Sequence, residues 1–192
     1  MNIANRLTIL RIILTFIFMF FLLIHGLWAK VIAFIIFIFA ALSDFFDGRI
    51  AQKRNMVTDF GKLMDPIADK ILVLAAFTVF VQMQLIEAWM FVLIIFREIL
   101  ITSLRLFALN KGKVLSAAKA GKHKTVSQMA VIFLILIFIV LKETMLTFFT
   151  WSPGWEQFFH QGIYLLMLFT VGFTLYSGAY YLWDNRKVIT KL

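Results

Sequence analysis

Long apolar runs alternate along this chain with short polar joints and a few longer basic ones. A bilayer core takes about 20 apolar residues per helix. On that measure the pattern predicts six spans, at 7–24, 29–42 with a polar helix end reaching 47, 60 to 81 or 84, 87–108, 126–146 and 158–183. Three joints, 24–29, 83–87 and 142–158, carry almost no basic charge. The last contains Trp151-Ser152-Pro153-Gly154-Trp155, which reads as a helix-breaking loop with two interfacial tryptophans.

Composition strengthens this picture. Hydrophobic residues make up 62% of the 192 and charged residues only 15%, with a mean hydropathy of +0.94, more apolar side chain than a soluble core can use. The expectation is an all-α, polytopic membrane protein, a single domain over 1–192 without repeats. The first apolar run is of span length and lacks a small-x-small cleavage site, so it reads as a retained helix. There is no cysteine, which excludes disulfides and thiolate chemistry, and three scattered histidines (His25, His123, His160) argue against a histidine-rich zinc site.

The net charge of +9 could point to nucleic acid, but its placement points elsewhere. Of 19 Lys and Arg, only Lys30 and Lys142 lie near the three weakly charged joints. The other 17 lie at the termini, between spans two and three, between spans four and five, or in helix ends on that same side. The positive-inside rule then puts both termini in the cytoplasm, as an even number of spans requires. A basic cytoplasmic face would attract anionic headgroups and phosphorylated substrates.

A plain helical bundle does not explain residues 43–70. Five of the ten acidic residues fall within 26 positions there: Asp44, Asp47, Asp59, Asp65 and Asp69. Asp44 and Asp47 are three apart and Asp65 and Asp69 four apart, spacings that share a helix face. Two antiparallel helices joined by a short basic loop would bring these four carboxylates together. Their mutual repulsion calls for a cation, and hard oxygen ligands suit Mg2+ or Mn2+. A paired-metal site of this kind clamps phosphoryl oxygens. The plainer alternative is salt bridging to Arg49, Arg54, Lys62 or Lys70. Gly48, Ala51 and Gly61 would open a flat patch for a nucleotide or phosphate, or else serve helix packing. Thr58 or Asp59 is a candidate cap for the third helix, and Pro66 is expected to bend that helix or free a carbonyl.

Read together, the positions are Asp44-x2-Asp47-Gly48-x2-Ala51-Gln52-x8-Gly61-x3-Asp65-x3-Asp69. This resembles the signature of the CDP-alcohol phosphatidyltransferases. The family usually has Arg after the Ala; here Gln52 stands there, with Lys53 and Arg54 following. Further stretches look like the branch that makes phosphatidylglycerophosphate in bacteria: Asn5-Arg6-Leu7-Thr8-Ile9-Leu10-Arg11, Arg97-Glu98, Ser103-Leu104-Arg105, Gly112, Ala117, Gly121-Lys122, Lys124-Thr125 and Gln128.

The resemblance implies transfer of the phosphatidyl group of CDP-diacylglycerol to sn-glycerol 3-phosphate, giving phosphatidylglycerophosphate and CMP. It implies two divalent cations held by Asp44, Asp47, Asp65 and Asp69, with Asp69 as the general base. Gly48, Ala51, Gln52 and Gly61 would border the cytidine diphosphate; Thr8 would either join them or anchor the first helix at the headgroups. It also implies a homodimer in the bacterial plasma membrane, with its active site facing the cytoplasm. No Ser, Cys or His is placed as a covalent nucleophile, so direct in-line transfer is expected.

The acceptor carries its own phosphate and needs a second cationic patch. Arg105, Lys122, Lys124, Arg97 and Arg186 are the candidates, with a solvated basic loop as the alternative for the lysines. Arg97 and Glu98 are adjacent within span four and are expected to point apart, each needing its own partner. Another acceptor (inositol phosphate, serine or phosphatidylglycerol), a divalent-cation transporter, and a non-catalytic scaffold remain as alternative readings.

Overall fold

A computed structural model describes the backbone of residues 3–54, 59–112, 115, 120–149 and 152–190, and the side chains of 8–43, 70–112, 115, 124–149, 152–186 and 188–190. Among the described residues every regular element is helical. The order is α1 (Ile3–Leu23), α2 (Leu27–Arg54), α3 (Asp59–Gln82), α4 (Ala88–Asn110), α5 (Ala120–Phe148), α6 (Pro153–Asp184) and a final turn of helix, α7 (Arg186–Ile189).

Each joint has a local cause. Gly26 turns the chain between α1 and α2 with φ of 103°. The buried Lys30 then reaches back from α2, and its Nζ donates to the Leu22 carbonyl at 2.6 Å. That bond satisfies one of the carbonyls that the end of α1 leaves open. Between α3 and α4, Gln84 takes φ of 58°, Leu85 N–H bonds to the Phe80 carbonyl at 2.9 Å, and buried Leu85 and Ile86 pin the turn.

Before α6, Ser152 accepts from the Gly154 N–H at 3.4 Å and Pro153 takes the first helical turn. The Pro-Gly stretch read from sequence as a breaker is therefore a helix start. Proline there forfeits no intrahelical bond.

Two other limits differ from the pattern of apolar residues. α2 runs on to Arg54 instead of 47, and α5 starts at Ala120, so Lys122 and Lys124 lie in a helix and not in the loop before it. A change from apolar to polar marks where water begins; backbone hydrogen bonding continues past it wherever helix formers follow. α3 also continues through position 66 despite its proline, and the candidate cap Thr58 lies outside the described residues.

α1 packs along α2 and α3, α2 along α5, α5 along α6, and α6 along α4. The core lies where these contacts meet. Ala33, Phe37 and Ala40 line one face of α2 at spacings of four and three, all fully buried. The two alanines let backbones approach, and the Phe37 ring fills the gap at 5.3 Å from Phe18 and 5.2 Å from Phe133. Leu72, Ala76, Phe77 and Phe80 continue the core on α3, Ile132, Ile135 and Leu136 on α5, and Met167 and Val171 on α6.

The outer surface is as apolar as the core. Phe16, Phe20, Phe39, Phe96, Phe158, Leu165 and Phe169 all face outward, Phe169 with 69% of its surface free. Such a surface is unstable in water and suits lipid. Lys124–Phe148 and Pro153–Asp184 are each long and apolar enough to cross a membrane, and shorter apolar stretches occupy Thr8–Leu23, Leu27–Ser43 and Lys70–Gln82. Several hydroxyls in these helices bond to the preceding turn, as Thr15 does to the Arg11 carbonyl at 2.8 Å and Thr170 to the Leu166 carbonyl at 2.9 Å. They thereby need no water.

Phe37→Ala is expected to leave a cavity between three helices and to cost about 3–5 kcal/mol, seen as a lower melting temperature in detergent. The outward-facing Phe169→Ala should shift it little.

Candidate active site

The four signature carboxylates fall on two consecutive helices. Asp44 and Asp47 lie on α2 with Gly48, Ala51 and Gln52, and Gly61, Asp65 and Asp69 lie on α3. The helices are separated by residues 55–58. The side chains of these eight residues and of Lys122 lie outside the described residues, as does the expected convergence of the four Asp. Among the described residues no three His, Asp or Glu gather as a metal site. Thr8 is buried in α1.

From Lys70 onward the described side chains include a polar cluster inside an apolar bundle. Lys70, from the middle of α3, donates to the Thr102 hydroxyl of α4. Lys124, from the first turns of α5, donates to both carboxylate oxygens of Glu98. Glu98 also accepts from Arg97 Nη1 at 3.0 Å, and Arg97 Nη2 reaches Ser177 Oγ of α6 at 3.3 Å. Arg97 and Glu98 thus bond each other instead of seeking separate partners, because their flexible side chains curl together across adjacent positions. Arg97, Lys124 and Gln128 are all buried.

The local sequence makes room for this cluster. Thr174, Ser177, Gly178 and Tyr181 line one stripe of α6 and are all buried. At Gly178 an added Cβ would lie 3.1 Å from Arg97 Cγ and 3.5 Å from its Nε, so glycine clears the path of the arginine. A cavity of about 100 Å3 opens among Lys70, Glu98, Lys124, Thr125 and Gln128, backed by Val73, Leu74 and Ile94. Among the described residues, Arg97 Nε, Gln128 Nε2, Thr174 Oγ1 and Tyr181 OH find no hydrogen-bond partner. Buried polar atoms are seldom left so, and Gln128 also lines the cavity.

Of the cations expected to hold an acceptor phosphate, the structure brings Arg97 and Lys124 together. Arg105 lies eight residues beyond Arg97 on α4, exposed, its guanidinium 5.7 Å from the centre of the Tyr181 ring. Arg186 is exposed on α7, donates to the Trp183 carbonyl at 2.7 Å and stacks over the Trp183 ring at 4.6 Å. These contacts of Arg105 and Arg186 lie toward the end of α6 rather than at the Glu98 cluster. Sequence reasoning named Lys70 only as a salt-bridge partner and Gln128 only within the stretches that carry the resemblance, and it missed Ser177, Gly178 and Tyr181. A signal existed for the α6 group, since its hydroxyl and small residues recur at spacings of three and four within an apolar run.

A model of the CDP-alcohol phosphatidyltransferase family matches residues 1–175. The chain belongs to that family. A CDP-diacylglycerol–glycerol-3-phosphate 3-phosphatidyltransferase of Bacillus subtilis is 38% identical over 180 residues, covering 82% of this chain and 93% of that protein. Enzymes of the same name from Cereibacter sphaeroides and Rickettsia typhi are each 36% identical, over 140 and 137 residues. Both matches cover 71% of this chain, with 63% and 76% of the respective relatives.

Gly178→Ala is expected to push Arg97 away from Ser177 and to cost about 1–3 kcal/mol, as overpacking does, measured as a drop in melting temperature. Ala179→Gly, its exposed neighbour on the same helix, controls for backbone effects.

Proposed function

We propose that this member of the family transfers the phosphatidyl group of CDP-diacylglycerol to sn-glycerol 3-phosphate, releasing CMP. The observation that carries the reading is the signature of four Asp, two Gly and Ala across α2 and α3, followed in sequence by Lys70, which joins a cluster with the buried Arg97 and Lys124. The names of the relatives, at 36–38% identity, support the same donor and acceptor.

The donor set fits a pair of divalent cations, Mg2+ or Mn2+: four carboxylates on two consecutive helices offer only hard oxygen. Asp44, Asp47, Asp65 and Asp69 would hold them. When bound, such ions neutralise pyrophosphate oxygens and ease departure of a phosphate leaving group.

The chain's own residues do the rest in this reading. Asp69 takes the proton from the acceptor hydroxyl as its oxygen attacks the phosphatidyl phosphorus. The new P–O bond forms while the bond to CMP breaks, and CMP leaves with the electron pair. Gly48, Ala51, Gln52 and Gly61 border the cytidine diphosphate, and Thr8 sits near them or anchors α1. Lys124 and Arg97 supply positive charge for the acceptor phosphate, with Lys122, Arg105 and Arg186 along its approach.

The proposed setting is a single membrane domain of six spans in the plasma membrane of a bacterium, as a homodimer. Both termini and the site face the cytoplasm, where glycerol 3-phosphate is dissolved, while the donor's acyl chains stay in lipid.

Two experiments test this. Purified protein in liposomes should release CMP from CDP-diacylglycerol with sn-glycerol 3-phosphate, and not with serine or inositol phosphate. Chelation should abolish release and Mg2+ or Mn2+ restore it, while Asp69→Asn should lower the rate about 100- to 10,000-fold, the usual worth of a general base. Release with a different acceptor alone would overturn the acceptor assignment. The native chain has no cysteine, so single cysteines report sidedness cleanly. In intact cells an impermeant maleimide should label Ser152→Cys and spare Asn110→Cys; the reverse pattern would invert the topology.

A further inference from the structure

A second polar cavity lies at the other end of the bundle. α3 carries the chain from Lys70 to Gln82, a rise of about 18 Å, and the turn that follows meets the end of α5 and the start of α6. There a cavity of about 280 Å3 is lined by Gln84, Lys142, Glu143, Glu156 and His160. None of these residues belongs to the Asp pattern or to the Glu98 cluster. A water takes about 30 Å3, so this space holds a group of several heavy atoms.

The charges of the cavity are balanced but incompletely paired. Lys142 Nζ donates to Glu156 Oε1 at 2.5 Å, and His160 Nε2 lies 3.5 Å from the same oxygen. The half-buried Glu143 carboxylate accepts no hydrogen bond among the described residues. Its field reaches Lys30, whose Nζ is held by the Leu22 carbonyl at 2.6 Å. Two cations, Lys30 and Lys142, thus stand against two carboxylates, Glu143 and Glu156. Glu143 still has acceptor oxygens to fill, and Lys142 keeps N–H groups beyond the one it gives to Glu156. A ligand that completes this site adds no net charge and carries both signs: a primary ammonium for Glu143 and an anionic oxygen for Lys142.

An apolar crevice of about 220 Å3 adjoins the polar cavity, and Phe138 lines both. The crevice runs between α5 and α6, walled by Leu134, Ile135, Phe158, Gly162 and Leu166. Where the two spaces meet, the Phe138 ring stacks on Phe159 at 4.5 Å. Leu134, Leu141 and Phe158 stand exposed on the rim, on the outer surface that suits lipid. At Gly162 an added Cβ would meet nothing within 4 Å, so the glycine leaves that part of the crevice open. A mixed-charge cavity beside a slot for hydrocarbon matches the head and tail of an amphiphile.

We propose that these two cavities bind one zwitterionic phospholipid with a primary amine in its head group. Its ammonium meets Glu143, its phosphate meets Lys142, and one acyl chain fills the crevice between α5 and α6. The bound lipid ties these two helices to the turn at Gln84. An anionic lipid would add negative charge beside Glu143, and a quaternary ammonium would bring charge without an N–H. In the orientation given under Proposed function this lipid belongs to the outer leaflet; binding itself does not depend on that reading.

The test uses full-length protein in detergent micelles. Phosphatidylethanolamine, phosphatidylcholine and phosphatidylglycerol of matched acyl chains are added in turn, and bound lipid per chain is counted by native mass spectrometry. The wild type is expected to hold one phosphatidylethanolamine about tenfold more tightly than either of the others. Glu143→Gln should bring the three lipids within about twofold of one another. Gly162→Leu, which fills the crevice, should weaken all three by about tenfold. Melting temperatures without added lipid establish that the variants fold. Phosphatidylethanolamine should then raise the melting temperature of the wild type more than that of Glu143→Gln, since a ligand of the folded state stabilises it by mass action.

Equal wild-type affinity for the three lipids, tighter binding of phosphatidylglycerol, or a preference left unchanged by Glu143→Gln would overturn the proposal. So would wild-type binding by Gly162→Leu, because the acyl chain would then lie elsewhere. Should Gly162→Leu fail to fold, the lipid preference of Glu143→Gln decides.

Discussion

A charge among apolar helices must find its partner within the protein, because neither lipid nor a packed core offers any other. Glu98 meets that constraint for three elements at once. It lies midway along α4, binds Lys124 of α5, and shares Arg97 with Ser177 of α6. Burying these groups costs several kcal/mol per ion before pairing. That cost also makes the arrangement specific, since a sliding or rotated α5 would strand Lys124 without its partner. The packing of α4 on α6 rests on the same cluster, with Gly178 placed where any side chain would press on Arg97.

The helices themselves were legible in the sequence because a membrane-like environment forces every backbone group to bond internally, and runs of about 20 apolar residues leave no alternative. The ends were less legible. At 43–54 and 120–126 the chain turns polar while the helix continues, as nothing in polarity alone interrupts the backbone ladder. Pro153 illustrates the same limit: proline ends a helix from within and starts one from its first turn, and only the Ser152 cap before it separates the two cases.

The candidate site was legible to a different depth. The Asp pattern stands out because five carboxylates crowd an apolar neighbourhood, and spacing alone carries the family resemblance. Spacing also shows that Arg97 and Glu98 are costly where they stand. It could not show that they meet, since adjacent Cβ atoms diverge and only the long side chains bring the charged ends to 3.0 Å. Lys70 read only as one more cation that could pair with the nearby carboxylates. Its meaning comes from Thr102, 32 residues away on another helix.

Basic charge in this protein therefore serves two physical ends that a count of Lys and Arg merges. Arg105, Lys111 and Arg186 lie exposed over aromatic rings toward the ends of α4 and α6, where charge faces water and favours one side of a membrane. Arg97 and Lys124 are buried against one carboxylate, and Lys70 is half-buried beside them. Electrostatics there are stronger because little water screens them. An orienting charge tolerates replacement by another cation nearby; a buried one, held by a particular partner at a particular depth, does not. The inner group is also the one placed directly after Asp69. A reaction that joins a dissolved phosphomonoester to a lipid, as proposed for this protein, can use both groups, the outer to favour one side of the membrane and the inner to offer concentrated positive charge to an anionic substrate.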